Sequence, residues 1–108
     1  MSTLSPELKA CIDACNECIE AANVCMAAHI GEAEMKRCLQ LCLDCTDLCT
    51  ACVQMMARES DYHARVCAIC ADLCNACADE CAKFDSEECQ ACADACRRCA
   101  EKCREMAA

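Results

Sequence analysis

The sequence predicts an all-α fold, an up-down-up-down antiparallel four-helix bundle, on three observations. The first is its cysteines: nineteen of them in 108 residues, in four blocks whose internal steps are mostly three and four. A helix turns once in about 3.6 residues, so each block lines one face of one helix. The second is punctuation. The chain has one Pro and one Gly, and both fall where a helix begins or ends. The third is composition: 21 alanines, with Glu, Lys and Arg between them, favour helix throughout.

The elements follow in order. Ser5-Pro6-Glu7 reads as N-cap, first-turn proline and acidic first turn. Helix one runs from there to about His29, with Gly31 in the C′ position. Helix two spans about Glu32 to Ala57. The polar segment Arg58-Glu59-Ser60-Asp61 is a turn, with Ser60 or Asp61 capping helix three, which reaches about Lys83. Asp85 and Glu88 make a capping-box-like start for helix four, which continues to about Met106. Short loops make successive helices antiparallel. The expected organisation is one Cys-lined four-helix-bundle domain over residues 1–108.

The blocks are Cys11, Cys15, Cys18, Cys25; Cys38, Cys42, Cys45, Cys49, Cys52; Cys67, Cys70, Cys74, Cys77, Cys81; and Cys89, Cys92, Cys96, Cys99, Cys103. They form an internal repeat, visible in Cys11-Ile-Asp-Ala-Cys-Asn-Glu-Cys against Cys92-Ala-Asp-Ala-Cys-Arg-Arg-Cys. Antiparallel geometry registers them into layers. Starting at the end that holds the chain termini, the first layer is Cys11, Cys52, Cys67, Cys103 and the second Cys15, Cys49, Cys70, Cys99. The third is Cys18, Cys45, Cys74, Cys96, the fourth Ala22, Cys42, Cys77, Cys92, and the fifth Cys25, Cys38, Cys81, Cys89. Five layers of four give twenty places, nineteen of them cysteine, and Ala22 is the exception. The same steps continue past the first layer to Leu8, Met55 or Met56, His63 and Met106. At the opposite, loop end they reach His29, Met35, Phe84 and Ser86. Both ends thus offer thioether and imidazole, the softer protein ligands, although such residues also simply plug or cap a bundle end. Flanking the seam, Ile12, Ile19 and Met26 form one stripe and Leu41, Leu48 and Met55 another. They are expected to complete helix packing; if exposed, they would be an oligomer interface.

Composition excludes several functions. A net charge of −9 argues against nucleic acid or anionic lipid as partner. No stretch approaches the roughly 18 apolar residues of a membrane span, and the N-terminus has no signal-peptide character, so a cytoplasmic, reducing setting is expected. There, dense cysteine means metal or redox chemistry rather than disulfides. The odd count and helical spacing also disfavour a disulfide scaffold. Seven Cys-x-x-Cys pairs arise automatically from the heptad spacing, and none sits in the βαβ context of a thioredoxin-like site. No enzymatic constellation is present.

Charge selects the metal. Closed four-thiolate Zn²⁺ sites carry −2 each, so about four of them would bury close to −8. Bridging thiolates with Cu(I), about one ion per cysteine, are neutral, and soft thiolates favour Cu(I). The reading is a non-enzymatic store for multiple Cu(I) ions. The alternatives are a buffer or detoxifying protein for Zn²⁺ or mixed soft metals and, further off, a thiol redox buffer.

With Cys-x3-Cys-x2-Cys on cysteine-lined helices and Met and His at the ends, residues 5–106 resemble the cytosolic copper storage protein family. The resemblance implies a four-helix bundle that assembles into a homotetramer and holds many Cu(I) ions; a copper chaperone is a further candidate partner. It places all nineteen cysteines at core thiolate positions. His29 and Met35, or the group Met55, His63 and Met106, would match the family's His and Met residues at the bundle ends. Ala22 departs from a full set and implies a locally thinner site.

Overall fold

The computed structural model describes residues 3–107. Four helices carry the chain: α1 (Pro6–His29), α2 (Lys36–Ala57), α3 (His63–Cys81) and α4 (Glu87–Ala107), with a single 3₁₀ turn, Ala33–Met35, leading into α2. They form the expected bundle, in a rod of 43 × 25 × 18 Å in which each helix packs on the next and α4 closes on α1. No helix is long and apolar enough to cross a membrane.

The start of α1 is as expected. Ser5 Oγ accepts the Leu8 N–H at 3.1 Å and Pro6 occupies the first turn. Gly31 adopts φ +90° just after the helix. Three other boundaries differ. The chain enters α2 through the 3₁₀ turn instead of an α-helical start at Glu32, and that turn carries Met35 into the core at 2% exposure. The cap of α3 is Tyr62, not Ser60 or Asp61; Ser60 instead uses its Oγ to accept the Tyr62 N–H. Ser86, not Asp85, caps α4, accepting the Cys89 N–H at 3.1 Å.

The end of α2 explains why the next cap moved. Glu59 N–H bonds the Met56 carbonyl at 3.0 Å and Ser60 N–H the Met55 carbonyl at 2.9 Å, a Schellman closure. Its pivot is Glu59, at φ +52°, a left-handed conformation that Gly adopts freely and Glu does not. Glu59→Gly is therefore expected to stabilise the apo protein by about 1 kcal/mol. For a domain of this size that is a rise in melting temperature of roughly 4 °C. An unchanged melting curve would mean that the backbone freedom gained in the unfolded chain cancels the relief.

All nineteen cysteines are free and buried at 0% exposure. No polar or charged residue is buried among the described residues. Beside the thiols, Ala71 and Ala78 on α3 and Ala93 and Ala100 on α4 are also buried, at seven-residue spacing. Small side chains let these two helices approach closely. The ion pairs across them, Arg97–Asp79 and Arg104–Asp72, are exposed, so each contributes at most about 1 kcal/mol and packing dominates. The flanking stripes pack inward: Ile12 and Leu41 are buried, and Ile19, Met26 and Leu48 lie against the core. The large apolar side chains left exposed are others: Val24, Ile30, Leu43, Tyr62 and Ile69.

Candidate metal centre

Each layer read from the sequence has sulfur contacts in the structure. In the first, Cys11 lies 3.7 Å from Cys103. In the second, Cys49 is 3.6 Å from Cys70 and 3.7 Å from Cys99, and Cys99 is 3.6 Å from Cys15. The third has Cys18–Cys96 at 3.6 Å and Cys45–Cys74 at 4.0 Å. The fourth has Cys42 3.9 Å from Cys77 and 3.8 Å from Cys92. The fifth has Cys25–Cys89 at 3.8 Å and Cys38–Cys81 at 3.1 Å. Diagonal contacts join the layers: Cys15–Cys103 at 3.8 Å, Cys49–Cys74 at 3.9 Å and Cys42–Cys81 at 4.0 Å. So do contacts along a helix, such as Cys70–Cys74 at 3.8 Å.

These separations alone do not choose the metal, because tetrahedral Zn–S bonds of about 2.3 Å would also set sulfurs about 3.8 Å apart. Sharing of sulfurs is more informative. Cys15, Cys49, Cys70 and Cys99 could hold one ion, and so could Cys18, Cys49, Cys74 and Cys99; the two groups have Cys49 and Cys99 in common. Cys15 belongs as well to a group with Cys11 and Cys103. Closed sites would compete for the same thiolates. A net of overlapping groups suits ions bridged by shared sulfurs.

Protonation follows from burial and from thiol-to-thiol hydrogen bonds. At the loop end burial is the leading cause: it pushes Cys25 well above the ordinary 9.0 and Cys38 up to about 12. Within the seam the thiols diverge. Cys70 and Cys92 are held far below the ordinary value by hydrogen bonds from neighbours, led by Cys103 and Cys42 respectively. The Cys103 and Cys15 contact, in turn, raises Cys15. Some thiols of the network are thus held low and others high, and a metal ion must displace the remaining protons.

Ala22 is buried at 0% exposure, as its place in the fourth layer requires. Ala22→Cys would supply the twentieth sulfur beside Cys42, Cys77 and Cys92. The expected result in a metal titration is a gain of about one soft ion per chain. Unchanged capacity would contradict the placement of α1 in the register.

At the ends the structure separates residues the sequence grouped. Met35 is buried, and Met106 packs against the core. Of the adjacent methionines it is Met56, four residues beyond Cys52, that is fully buried; Met55 is half-buried and one step off the stripe. His29 meets Glu32 and Ser86, with Nδ1 2.9 Å from Glu32 Oε2 and Nε2 2.8 Å from Ser86 Oγ. Ser86 was visible in the sequence as an end residue, but nothing marked Glu32 as its neighbour through His29. His63 Nδ1 is buried without a hydrogen-bond partner among the described residues.

The sequence profile of the copper storage proteins matches residues 4–108. The chain belongs to the copper storage protein family. Solved structures of family members agree in fold and length. Apo copper storage protein 3 from Bacillus subtilis is 44% identical, with a TM-score of 0.88 over 93% of this chain and 98% of that one. The Cu(I)-bound copper storage protein BsCsp3 is 43% identical, with a TM-score of 0.90 over 94% and 99%. A cytosolic copper storage protein from Streptomyces lividans, studied in copper loading with five coppers, is 34% identical, with a TM-score of 0.88 over 94% and 92%. A search of curated proteins returned no significant match.

Proposed function

We propose that this chain stores Cu(I) in the cytoplasm, as a non-enzymatic reservoir whose core thiolates hold about one ion per cysteine. The carrying observation is the overlap of thiol groups, in which Cys15, Cys49 and Cys99 each belong to more than one set able to hold an ion. Bridging by such shared sulfurs keeps the loaded core neutral, whereas separate four-thiolate Zn²⁺ sites would bury −2 each in a core with no cationic residue among the described ones. All nineteen cysteines are the proposed ligands. At the bundle ends His29, Met35, His63 and Met106 are the proposed secondary ligands, and the buried Met56 takes the place the sequence suggested for Met55. The whole chain acts as one domain and assembles as a homotetramer, for which Val24, Ile30, Leu43 and Ile69 offer exposed apolar surface. Copper reaches or leaves it through a chaperone.

Anaerobic titration of the reduced apo protein with Cu(I), against a competing chelator, tests the reading. Saturation near nineteen ions per chain is expected from the cysteine count. Saturation at about four or five would overturn it and favour closed tetrathiolate sites.

A further inference from the structure

One set of four thiols stands apart from the net of shared sulfurs. Cys25 of α1, Cys42 of α2, Cys81 of α3 and Cys92 of α4 hold their sulfurs within 4.8 Å of one another. Cys42 Sγ lies 4.0 Å from Cys81 Sγ and 3.8 Å from Cys92 Sγ. Four sulfurs at about 2.3 Å from a central Zn²⁺ would sit about 3.8 Å apart, so this cage is near tetrahedral size before any ion enters. It has no member in common with the two groups that share Cys49 and Cys99, so an ion here takes no sulfur from them. Ala22 accounts for its shape. Fully buried in the α1 place of the fourth layer, Ala22 offers a methyl group where Cys42, Cys77 and Cys92 would otherwise meet another sulfur. The α1 ligand comes instead from Cys25, three residues on and one layer further out. The cage is therefore diagonal, drawn from the fourth and fifth layers together.

Charge is the obstacle to Zn²⁺ along the whole seam, since about four closed sites would bury close to −8. One site buries −2, and this one has thiols outside it to spread that charge. Cys89 lies 3.8 Å from Cys25, Cys77 3.9 Å from Cys42, Cys38 3.1 Å from Cys81 and Cys96 4.0 Å from Cys92. Each of these four outer cysteines is placed to donate an S–H to a liganding sulfur. Outer-shell hydrogen bonds to metal ligands are worth about 10- to 100-fold in affinity. They exist only while the outer thiols keep their protons, which ties this site to the copper-free chain.

We propose that Cys25, Cys42, Cys81 and Cys92 form a closed tetrathiolate site for one Zn²⁺ per chain, filled when the bundle carries no copper. The proposal goes beyond the copper storage reading, and its test involves no copper. On binding, the four thiols release four protons to solvent, four Zn–S bonds form, and no electron is transferred. The ion ties one residue of each helix to the other three, in a core with few large apolar side chains. Cu(I), the softer ion, displaces it by drawing the same thiolates into bridging.

The reduced, metal-free full chain is mixed anaerobically with one equivalent of ¹¹³Cd²⁺, which takes the same four-thiolate geometry as Zn²⁺, and followed by ¹¹³Cd NMR. A single resonance is expected, correlated with the β-protons of Cys25, Cys42, Cys81 and Cys92. Several resonances, from ions spread along the seam, or correlation with a different set of cysteines, overturns the proposal. Zn²⁺ titration of the same protein against a competing chelator gives a second readout. The first ion is expected to bind at least about tenfold more tightly than any that follow, the margin that its outer donors provide. Four or five ions of equal affinity would overturn the proposal, because the cage would then be no better than the layers around it. In Cys42→Ser/Cys92→Ser the tight ion should be lost, with affinity down by at least about a hundredfold, since direct ligands count for more than their outer partners. A variant that keeps the tight ion overturns the assignment, and the two wild-type measurements decide the matter even if the variant does not fold.

Discussion

Replacing the four thiols of the second layer together, Cys15→Ser, Cys49→Ser, Cys70→Ser and Cys99→Ser, is expected to remove about four Cu(I) ions from the capacity of each chain. If each sulfur bridges two ions and each ion takes two sulfurs, ions and sulfurs are equal in number, and each lost sulfur costs one ion. A closed tetrathiolate site gives a different result: the same four substitutions would remove a single metal ion. The layer suits this test because its sulfurs are in contact, with Cys49 at 3.6 Å from Cys70 and Cys99 at 3.6 Å from Cys15. It suits it also because two of its members serve the third layer as well. Serine is close to cysteine in size, and its hydroxyl can return a hydrogen bond to the helix carbonyl four residues back, so the burial penalty is about 1 kcal/mol per site. Far-UV circular dichroism establishes that the variant is helical, and the corresponding alanine set repeats the measurement without the hydroxyls. A loss of one ion in both sets would end the bridging model.

The register of this core could be read from the chain because few arrangements satisfy it. A stripe at steps of three and four faces one way, antiparallel neighbours run their stripes in opposite order, and five layers close with a single exception at Ala22. The contacts Cys11–Cys103, Cys18–Cys96 and Cys25–Cys89 join α1 to α4 at three separate levels of that register. A slip of one turn on either helix would have broken all three together.

Features that depend on the backbone's local choices were harder to read. Glu59 holds the left-handed position that ends α2, where a sequence reader looks for Gly or Asn. Once Ser60 N–H is committed to the Met55 carbonyl, Ser60 is part of the closure of α2 and the next helix begins later, at His63. Asp85 and Ser86 are both good caps, and only the geometry of the Phe84 turn decides for Ser86. Gln90 contributes there, its Nε2 donating to the Phe84 carbonyl at 2.6 Å. The different states of the two histidines were beyond sequence reasoning altogether. His29 and Ser86 are 57 residues apart, and their bond exists only because α1 ends where α4 begins. The alternative at the other end, a ring nitrogen with no partner among the described residues, is an absence that no spacing rule encodes.

Copper loading is expected to raise the unfolding temperature by at least about 20 °C, measured anaerobically by scanning calorimetry on apo and saturated protein. The apo core explains why the gain should be so large. Its centre is thiol and alanine, Met56 is its largest fully buried side chain, and Leu8, Ile12 and Leu41 are its few buried aliphatic residues. Small side chains bury little apolar area each, so the driving force for folding is modest. An ion that binds only the folded chain at a hundredfold excess over its Kd adds about 2.7 kcal/mol, and here each ion also ties helices that nothing else in the core cross-links. Two such ions already suffice, since about 1 kcal/mol moves the melting point of a domain this size by roughly 4–8 °C. The same binding must expel thiol protons, including that of Cys38, which burial keeps protonated up to about 12. Acidification should therefore return the melting point of loaded protein toward that of the apo form as copper leaves. Apo and loaded proteins that melt within about 5 °C of each other would mean that the ions lie outside the seam, since only ligands drawn from all four helices give copper this hold on the fold.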